Sequence, residues 1–144
     1  MRYHKTPNTV QRIFSSFIWK NPQPTPTIYL TFDDGPIPEL TPFIINLLAQ
    51  YNAKATFFCV GDNIRKNPEI FQSIIENQHQ IGNHTYNHLN AWKTDKNIYL
   101  ENIQLCKQEI EKYSIKSLLF RPPYGKLSFN LRKEITKDHQ IVMW

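Results

Sequence analysis

The sequence predicts an α/β protein built on a parallel sheet, and three observations carry that prediction. Short β-branched or aromatic runs alternate with amphipathic stretches of helical period, strand then helix four times and then a fifth strand. The side chains with chemistry to offer fall at the C-terminal ends of those strands, the edge where parallel α/β folds bind ligands. The length of 144 residues suits one domain with a real core and is too short for two comfortable ones.

Taken in order, the chain opens on Met1, Arg2 and Lys5, followed by a partly apolar run from Val10 to Trp19. Gln11, Arg12, Ser15 and Ser16 interrupt that run and no small-residue cleavage site follows, so a secretory signal is not expected. A cytoplasmic or peripherally membrane-associated protein is then the default, with an extracytoplasmic one as the alternative. The run reads as a short amphipathic segment that packs on the domain, with contact to a membrane surface as the alternative. Residues 20–27, KNPQPTPT, carry three prolines and read as a stiff extended linker. This gives residues 1–26 as tail and linker and 27–144 as the domain.

The first strand is TIYLTF (Thr27 to Phe32), of strand length and composition. Thr41-Pro42 resembles an N-cap followed by proline at the first helical position, and Phe43, Ile44, Leu47, Leu48 and Tyr51 repeat at helical spacing. ATFFCV (Ala55 to Val60) is a second buried strand. Asn67-Pro68 opens a helix with Ile70, Phe71, Ile74 and Ile75 on one face. HQIGN is a short strand before His84. Thr94 is positioned to cap a long helix whose Tyr99, Ile103, Cys106, Ile110 and Tyr113 recur at steps of four and three. SLLF (Ser117 to Phe120), a helix from about Ser128 to Lys137, and QIVMW complete the pattern. Periodicity does not say whether the sheet is open or closes as a barrel. A full eight-unit barrel takes roughly 250 residues, so only part of one fits.

Composition excludes several classes. Apolar residues make up 40 % and charged residues 20 %, ordinary for a globular protein, and no run approaches the roughly 18 apolar residues of a membrane helix. The net charge of +5 comes without a basic run interleaved with aromatics, so nucleic acid is not expected as a partner. Cys59 and Cys106 lack C-x-x-C spacing and read as buried free thiols.

Polar residues follow each strand. Asp33-Asp34 follow the first, Gly61-Asp62 the second, His84 and His88 the third, and Arg121-Pro-Pro-Tyr-Gly the fourth. HTYNH spaces two histidines at i and i+4, which on a helical turn places both imidazoles on one face, able to grip one metal ion. His4, His79 and His139 read as structural or surface residues. A carboxylate would complete a His₂-carboxylate set with an open position. Neighbouring side chains on a strand point to opposite faces, so the two aspartates can serve different partners. One can ligate the metal, and the other can take a proton from water that the metal acidifies to a pKa of about 7 in hydrolytic zinc sites. Alone, Asp-Asp-Gly-Pro reads equally as an exposed turn. Arg121 can pair with a carboxylate and orient it. The two prolines lack N–H groups, so Tyr124 carries the first free backbone donor after Arg121, the kind of donor an oxyanion hole needs. A proline-rich surface loop explains that pentapeptide by itself.

TFDDG, HTYNH and RPPYG together resemble, in order and separation, the first three signature motifs of the polysaccharide deacetylase family, the NodB-homology carbohydrate esterases. The resemblance runs from about Thr27 to Trp144. It implies a distorted, incomplete α/β barrel of about five parallel strands and metal-dependent removal of N-acetyl or O-acetyl groups from a glycan such as peptidoglycan or a chitin-like oligomer. It implies one divalent ion, Zn²⁺, held by Asp34, His84 and His88. Asp33 would be the general base and Arg121 its tether. The backbone N–H of Tyr124 would stabilise the oxyanion, and Thr85 and Asn87 would shape the loop. The family continues with a D-x-x-D-W segment and an L-x-x-H-like segment, the latter supplying a histidine general acid. Trp144 precedes both, and His139 is no substitute. Weak or no turnover is therefore expected, an unpaired sheet edge is expected as well, and a non-catalytic metal- or glycan-binding remnant is the alternative reading.

Overall fold

The computed structural model describes residues 6–20 and 27–144. The elements run α1 (Asn8–Ile13), β1 (Leu30–Gly35), α2 (Leu40–Gln50), β2 (Ala55–Cys59), α3 (Gly61–Lys66), α4 (Pro68–Glu76), β3 (Gln80–Asn83), α5 (Lys96–Glu111), β4 (Leu119–Phe120), α6 (Phe129–Ile135) and β5 (Gln140–Ile141). The five strands form one sheet in chain order, and every neighbouring pair is parallel. Right-handed crossovers repeated in one direction coil such a sheet and leave its helices on one side, as in a segment of an α/β barrel.

Alternation along β2 shows the two faces. Phe57 and Cys59 join Ile45, Leu48, Ile64, Phe71, Ile74 and Ile110 in a core between sheet and helices. Thr56 and Phe58 point the other way, into a concave cavity of about 610 Å³ shared with Thr31, Leu119, Arg121 and Trp144. A second core gathers Tyr99, Ile103, Phe120, Leu131, Ile135 and Ile141 under α5 and α6. Burying an aromatic such as Phe71 contributes about 2–3 kcal/mol, so these two clusters supply most of the driving force. Gly61 is needed where α3 meets α5, because a Cβ there would lie 2.5 Å from Tyr86 Cδ2 and 3.1 Å from Cys106 Cα.

Several boundaries differ from expectation. β1 starts at Leu30 and runs through the Asp pair, so both carboxylates lie on the strand. An extra helix, α3, precedes the expected one at Asn67-Pro68, whose proline does occupy the first turn. Thr41 is no cap: α2 begins at Leu40, and the buried Thr41 Oγ1 accepts from the Ile37 N–H at 2.8 Å, closing the turn inside the helix start. The cap of α5 is Asp95, whose Oδ1 accepts from Asn97 and Ile98, because an aspartate one residue nearer the helix reaches those N–H groups. On α2 the apolar stripe is wider than its contact. Ile45 and Leu48 are buried, whereas Phe43, Leu47 and Tyr51 stay exposed. A helix lying flat on a sheet covers only about one side, and spacing alone does not say which edge of a wide stripe faces inward.

Residues 21–26, most of the expected proline-rich linker, fall outside the described residues, as does His4. The segment before them packs on the domain. Phe17 is buried among Phe120, Leu131 and Ile141, with Phe14 and Trp19 against the same cluster. Ile18 bridges Val142 in parallel, donating to Ile141 O at 2.8 Å and accepting from the Met143 N–H at 2.9 Å. The open edge beside β5 is therefore partly paired by the chain's own N-terminal segment. Cys59 and Cys106 are both buried and free, with thiol pKa values raised by burial.

His79 and His139 are buried at the N-terminal ends of β3 and β5, each with an Nε2 that has no partner. Desolvation is the first cause holding both imidazoles below their ordinary pKa; Lys54 adds to it at His79 and Lys107 at His139, where Asp138 opposes it. The unfolded chain then binds more protons than the native one below about pH 6.5. Stability is expected to be fully present above that value and lost as pH falls towards the lowered native values. Urea midpoints between pH 7.5 and 5 should show this loss, and His139→Phe should reduce its slope.

Candidate active site

The site is assembled from three strand ends. At the end of β1 the register shifts between Asp33 and Gly35, and Asp34 takes a positive φ of 68°. That bulge, as well as strand alternation, turns the two carboxylates to different partners. Asn63 of α3 pins it by donating to the Asp34 carbonyl at 2.7 Å. Asp33 faces the concave side and accepts from Arg121 Nη1 at 2.8 Å. Asp34 faces the histidines: its Oδ1 lies 3.4 Å from His84 Nε2 and 3.1 Å from His88 Nε2.

HTYNH is not a helical turn. Thr85 and His88 both have positive φ, and the segment is an irregular loop. The i, i+4 spacing brings the rings together because the loop is laced to its surroundings. Asn102 of α5 accepts the N–H groups of Tyr86 and Asn87 on its Oδ1, both at 2.8 Å, and donates to Asn87 Oδ1 at 2.9 Å. Asn83 Oδ1 accepts from the Thr85 N–H, and Thr85 Oγ1 accepts from the Leu89 N–H. Asn83 and Asn102 were missed by sequence reasoning. The available signal was an asparagine on the apolar face of α5, one residue before Ile103, since a buried amide has to be hydrogen-bonded.

The turn after β4 addresses both histidines. His84 is buried, and its Nδ1 lies 2.7 Å from the carbonyl of Arg121, an acceptor only, so Nδ1 carries a proton, and in the neutral ring Nε2 keeps its lone pair. His88 Nδ1 lies 3.2 Å from the hydroxyl of Tyr124, whose ring packs edge-on at 4.7 Å. Both Nε2 atoms thereby face Asp34, and the three candidate ligand atoms lie within 4.8 Å of one another. The Asp34 carboxyl is held below its ordinary pKa, first by the His84 hydrogen bond and then by the charge of His88 against the opposing effect of burial. Burial lowers the pKa of His88. A carboxylate beside neutral imidazole is the protonation state a metal ion needs, and the second partners on Nδ1 are the usual supports of histidine ligands. The donor set fits a divalent ion.

Arg121 is buried between rings. Its guanidinium lies 4.1 Å from the Phe58 centroid and 5.2 Å from that of Trp144, and it also donates to Thr31 Oγ1 at 2.8 Å and Val142 O at 3.4 Å. A Cβ on Gly82 would lie 2.3 Å from the Phe58 ring, so glycine there lets Phe58 lie flat beneath the guanidinium. Within the turn, Gly125 N–H donates to Pro122 O and Lys126 N–H to Pro123 O; the Tyr124 N–H forms neither bond. Asp62, although on the same rim, is engaged by Arg65 and Lys66 of its own helix and stands outside the site.

Residues 20–144 match the polysaccharide deacetylase family. A peptidoglycan-N-acetylglucosamine deacetylase of Bacillus cereus is 40 % identical over 129 residues, which cover 88 % of this chain and 60 % of that protein. The crystal structure of a peptidoglycan N-acetylglucosamine deacetylase in complex with 4-naphthalen-1-yl-N-oxidanyl-benzamide superposes with a TM-score of 0.88 and 34 % identity, covering 96 % of this chain and 65 % of that one. The fold is shared as well with a family 4 carbohydrate esterase pseudoenzyme from Bacillus anthracis, at a TM-score of 0.74 and 28 % identity over 81 % of this chain and 42 % of that one. The chain spans 60 % and 48 % of the lengths of two Bacillus cereus deacetylases that it matches.

The Asp33–Arg121 pair lies mostly out of water, so its two members should be strongly coupled. A double-mutant cycle with Asp33→Ala and Arg121→Met is expected to give a coupling energy of about 1–3 kcal/mol in urea unfolding. It should exceed that of the surface pair Lys137–Glu134.

Proposed function

The chain belongs to the polysaccharide deacetylase family, and from that premise we propose that it hydrolyses acetyl groups from an acetylated glycan, with the N-acetylglucosamine of peptidoglycan as the leading substrate. The observation that carries this reading is the geometry of one strand-end rim: a carboxylate anchored by a buried arginine stands next to a carboxylate and two histidines whose free nitrogens converge. The names of the relatives support the substrate, since the Bacillus cereus protein is a peptidoglycan-N-acetylglucosamine deacetylase.

Asp34, His84 and His88 would hold the metal, and a divalent ion there, Zn²⁺ by its mixed nitrogen and oxygen donors, would supply Lewis acidity towards water and the acetyl carbonyl. Asp33 serves as the general base. Arg121 fixes one of its oxygens, leaving the other to accept the proton of the attacking water. The water oxygen adds to the carbonyl carbon, the proton taken up by Asp33 passes to the amide nitrogen as the carbon–nitrogen bond breaks, and acetate and a free amine result. Negative charge developing on the carbonyl oxygen is met by the Tyr124 N–H, held by a turn whose two prolines restrict it. The Arg121 carbonyl and the Tyr124 hydroxyl keep both imidazoles aimed at the ligand position.

Acetate release from an N-acetylglucosamine oligomer tests the reading, and its absence with metal supplied would overturn it. Asp33→Asn should lower turnover at least 100-fold while leaving metal content intact, because a base is lost but no ligand. His84→Ala with His88→Ala should abolish metal binding in elemental analysis. Tyr124→Phe should weaken metal affinity by roughly tenfold in a chelator competition, as expected for loss of a hydrogen bond to a ligating histidine.

A further inference from the structure

We propose that Trp92 and Lys126 form a glycan subsite beside the Asp34–His84–His88 trio, favouring an N-acetylglucosamine strand whose neighbouring sugar bears a carboxylate over a neutral strand of the same sugar. The proposal rests on the deacetylase reading above. Beyond the His84–Arg121 hydrogen bond, the loops after β3 and β4 touch at two further places. The inner contact is His88 with Tyr124, at 3.2 Å between Nδ1 and the hydroxyl. The outer contact is Lys126 Nζ over the Trp92 ring, 5.1 Å from its centroid. Trp92 follows His88 by four residues and Lys126 follows Tyr124 by two, a span of about 7 Å at most. The outer contact thus sits on the same rim, one step out from the ligand trio.

Trp92 is firmly held yet open. Its backbone N–H donates to Asn90 Oδ1 at 3.0 Å, and the Asn90 carbonyl accepts from the Lys93 N–H and from Thr94 Oγ1, both at 2.9 Å. Ala91 beside it is buried, whereas Trp92 is 66 % exposed. A large exposed indole on a held backbone beside that rim has the chemistry to stack on the apolar C–H face of a pyranose, leaving the sugar hydroxyls hydrated. Lys126 steadies the ring by a cation–π contact. Among the described residues no carboxylate pairs with its ammonium group, so the charge is available to a ligand. A neutral strand can use the stacking alone. A strand with carboxylates beside its N-acetylglucosamine units, as on the lactyl ether of muramic acid or on the peptide attached to it, can use stacking and charge together, and the net charge of +5 adds longer-range attraction.

The test is depletion binding to insoluble peptidoglycan and to chitin at low salt, with Trp92→Ala, Trp92→Phe, Lys126→Gln and, as a charge control at the opposite end of the sheet, Lys116→Gln. Trp92→Ala should weaken binding to both polymers about tenfold and Trp92→Phe should restore most of it. Lys126→Gln should weaken peptidoglycan binding roughly threefold more than chitin binding and flatten its salt dependence. Equal losses on both polymers, or a loss with Lys116→Gln as large as with Lys126→Gln, would show charge acting without a site and overturn the selectivity. Wild-type binding by Trp92→Ala would overturn the subsite. Binding requires no turnover, so acetate assayed in parallel separates the two ideas. The expected binding pattern without acetate sinks the deacetylase reading alone, and acetate with the wrong pattern sinks the subsite alone.

Discussion

The burial of one arginine governs the site. The Arg121 side chain is almost wholly removed from water, and a buried guanidinium is tolerated only when its donors are used and its charge is met. Thr31, Asp33 and Val142 take three of its five donors, and Phe58 and Trp144 flank the plane. Those five residues come from β1, β2 and the segment ending β5. Satisfying one cation therefore locks the relative position of strands that span the sheet. The same residue uses its carbonyl to fix the tautomer of His84. Asp33 and His84 are thus oriented by opposite ends of one amino acid.

The histidine loop depends on a second buried polar device. Asn102 and Asn83 replace the hydrogen bonds that a helix would have supplied to Thr85, Tyr86 and Asn87. Such a network is stable only when nearly every member is satisfied, because an orphaned amide in this environment costs about 1–3 kcal/mol. The consequence is an irregular backbone that still aims both rings at Asp34. The electrostatics agree with the geometry in direction: the neighbouring histidines hold the Asp34 carboxyl below its ordinary pKa, and burial lowers that of His88.

Much of this was legible in the sequence. Alternating strand-like and helix-like runs predicted the five parallel strands, because residue period reports which side of an element is covered. TFDDG, HTYNH and RPPYG marked the residues that meet at the rim, because parallel strands carry their exits to one edge. Legibility failed where the deciding partner is distant in the chain. Thr41 and Thr94 looked like caps, yet the Ile37 N–H claims one and Asp95 outreaches the other. Phe43, Leu47 and Tyr51 looked like core, yet the sheet covers only the side of α2 that holds Ile45 and Leu48.

By itself, then, the sequence determined the fold class and which side chains gather at one rim, since both follow from local period and from strand ends. Tertiary structure decided how those residues work. Which aspartate faces the arginine depends on a bulge pinned by Asn63, and which histidine nitrogen is free depends on a carbonyl 37 residues away. Side-chain direction at an irregular backbone is set by contacts between elements, and no spacing within one segment encodes them.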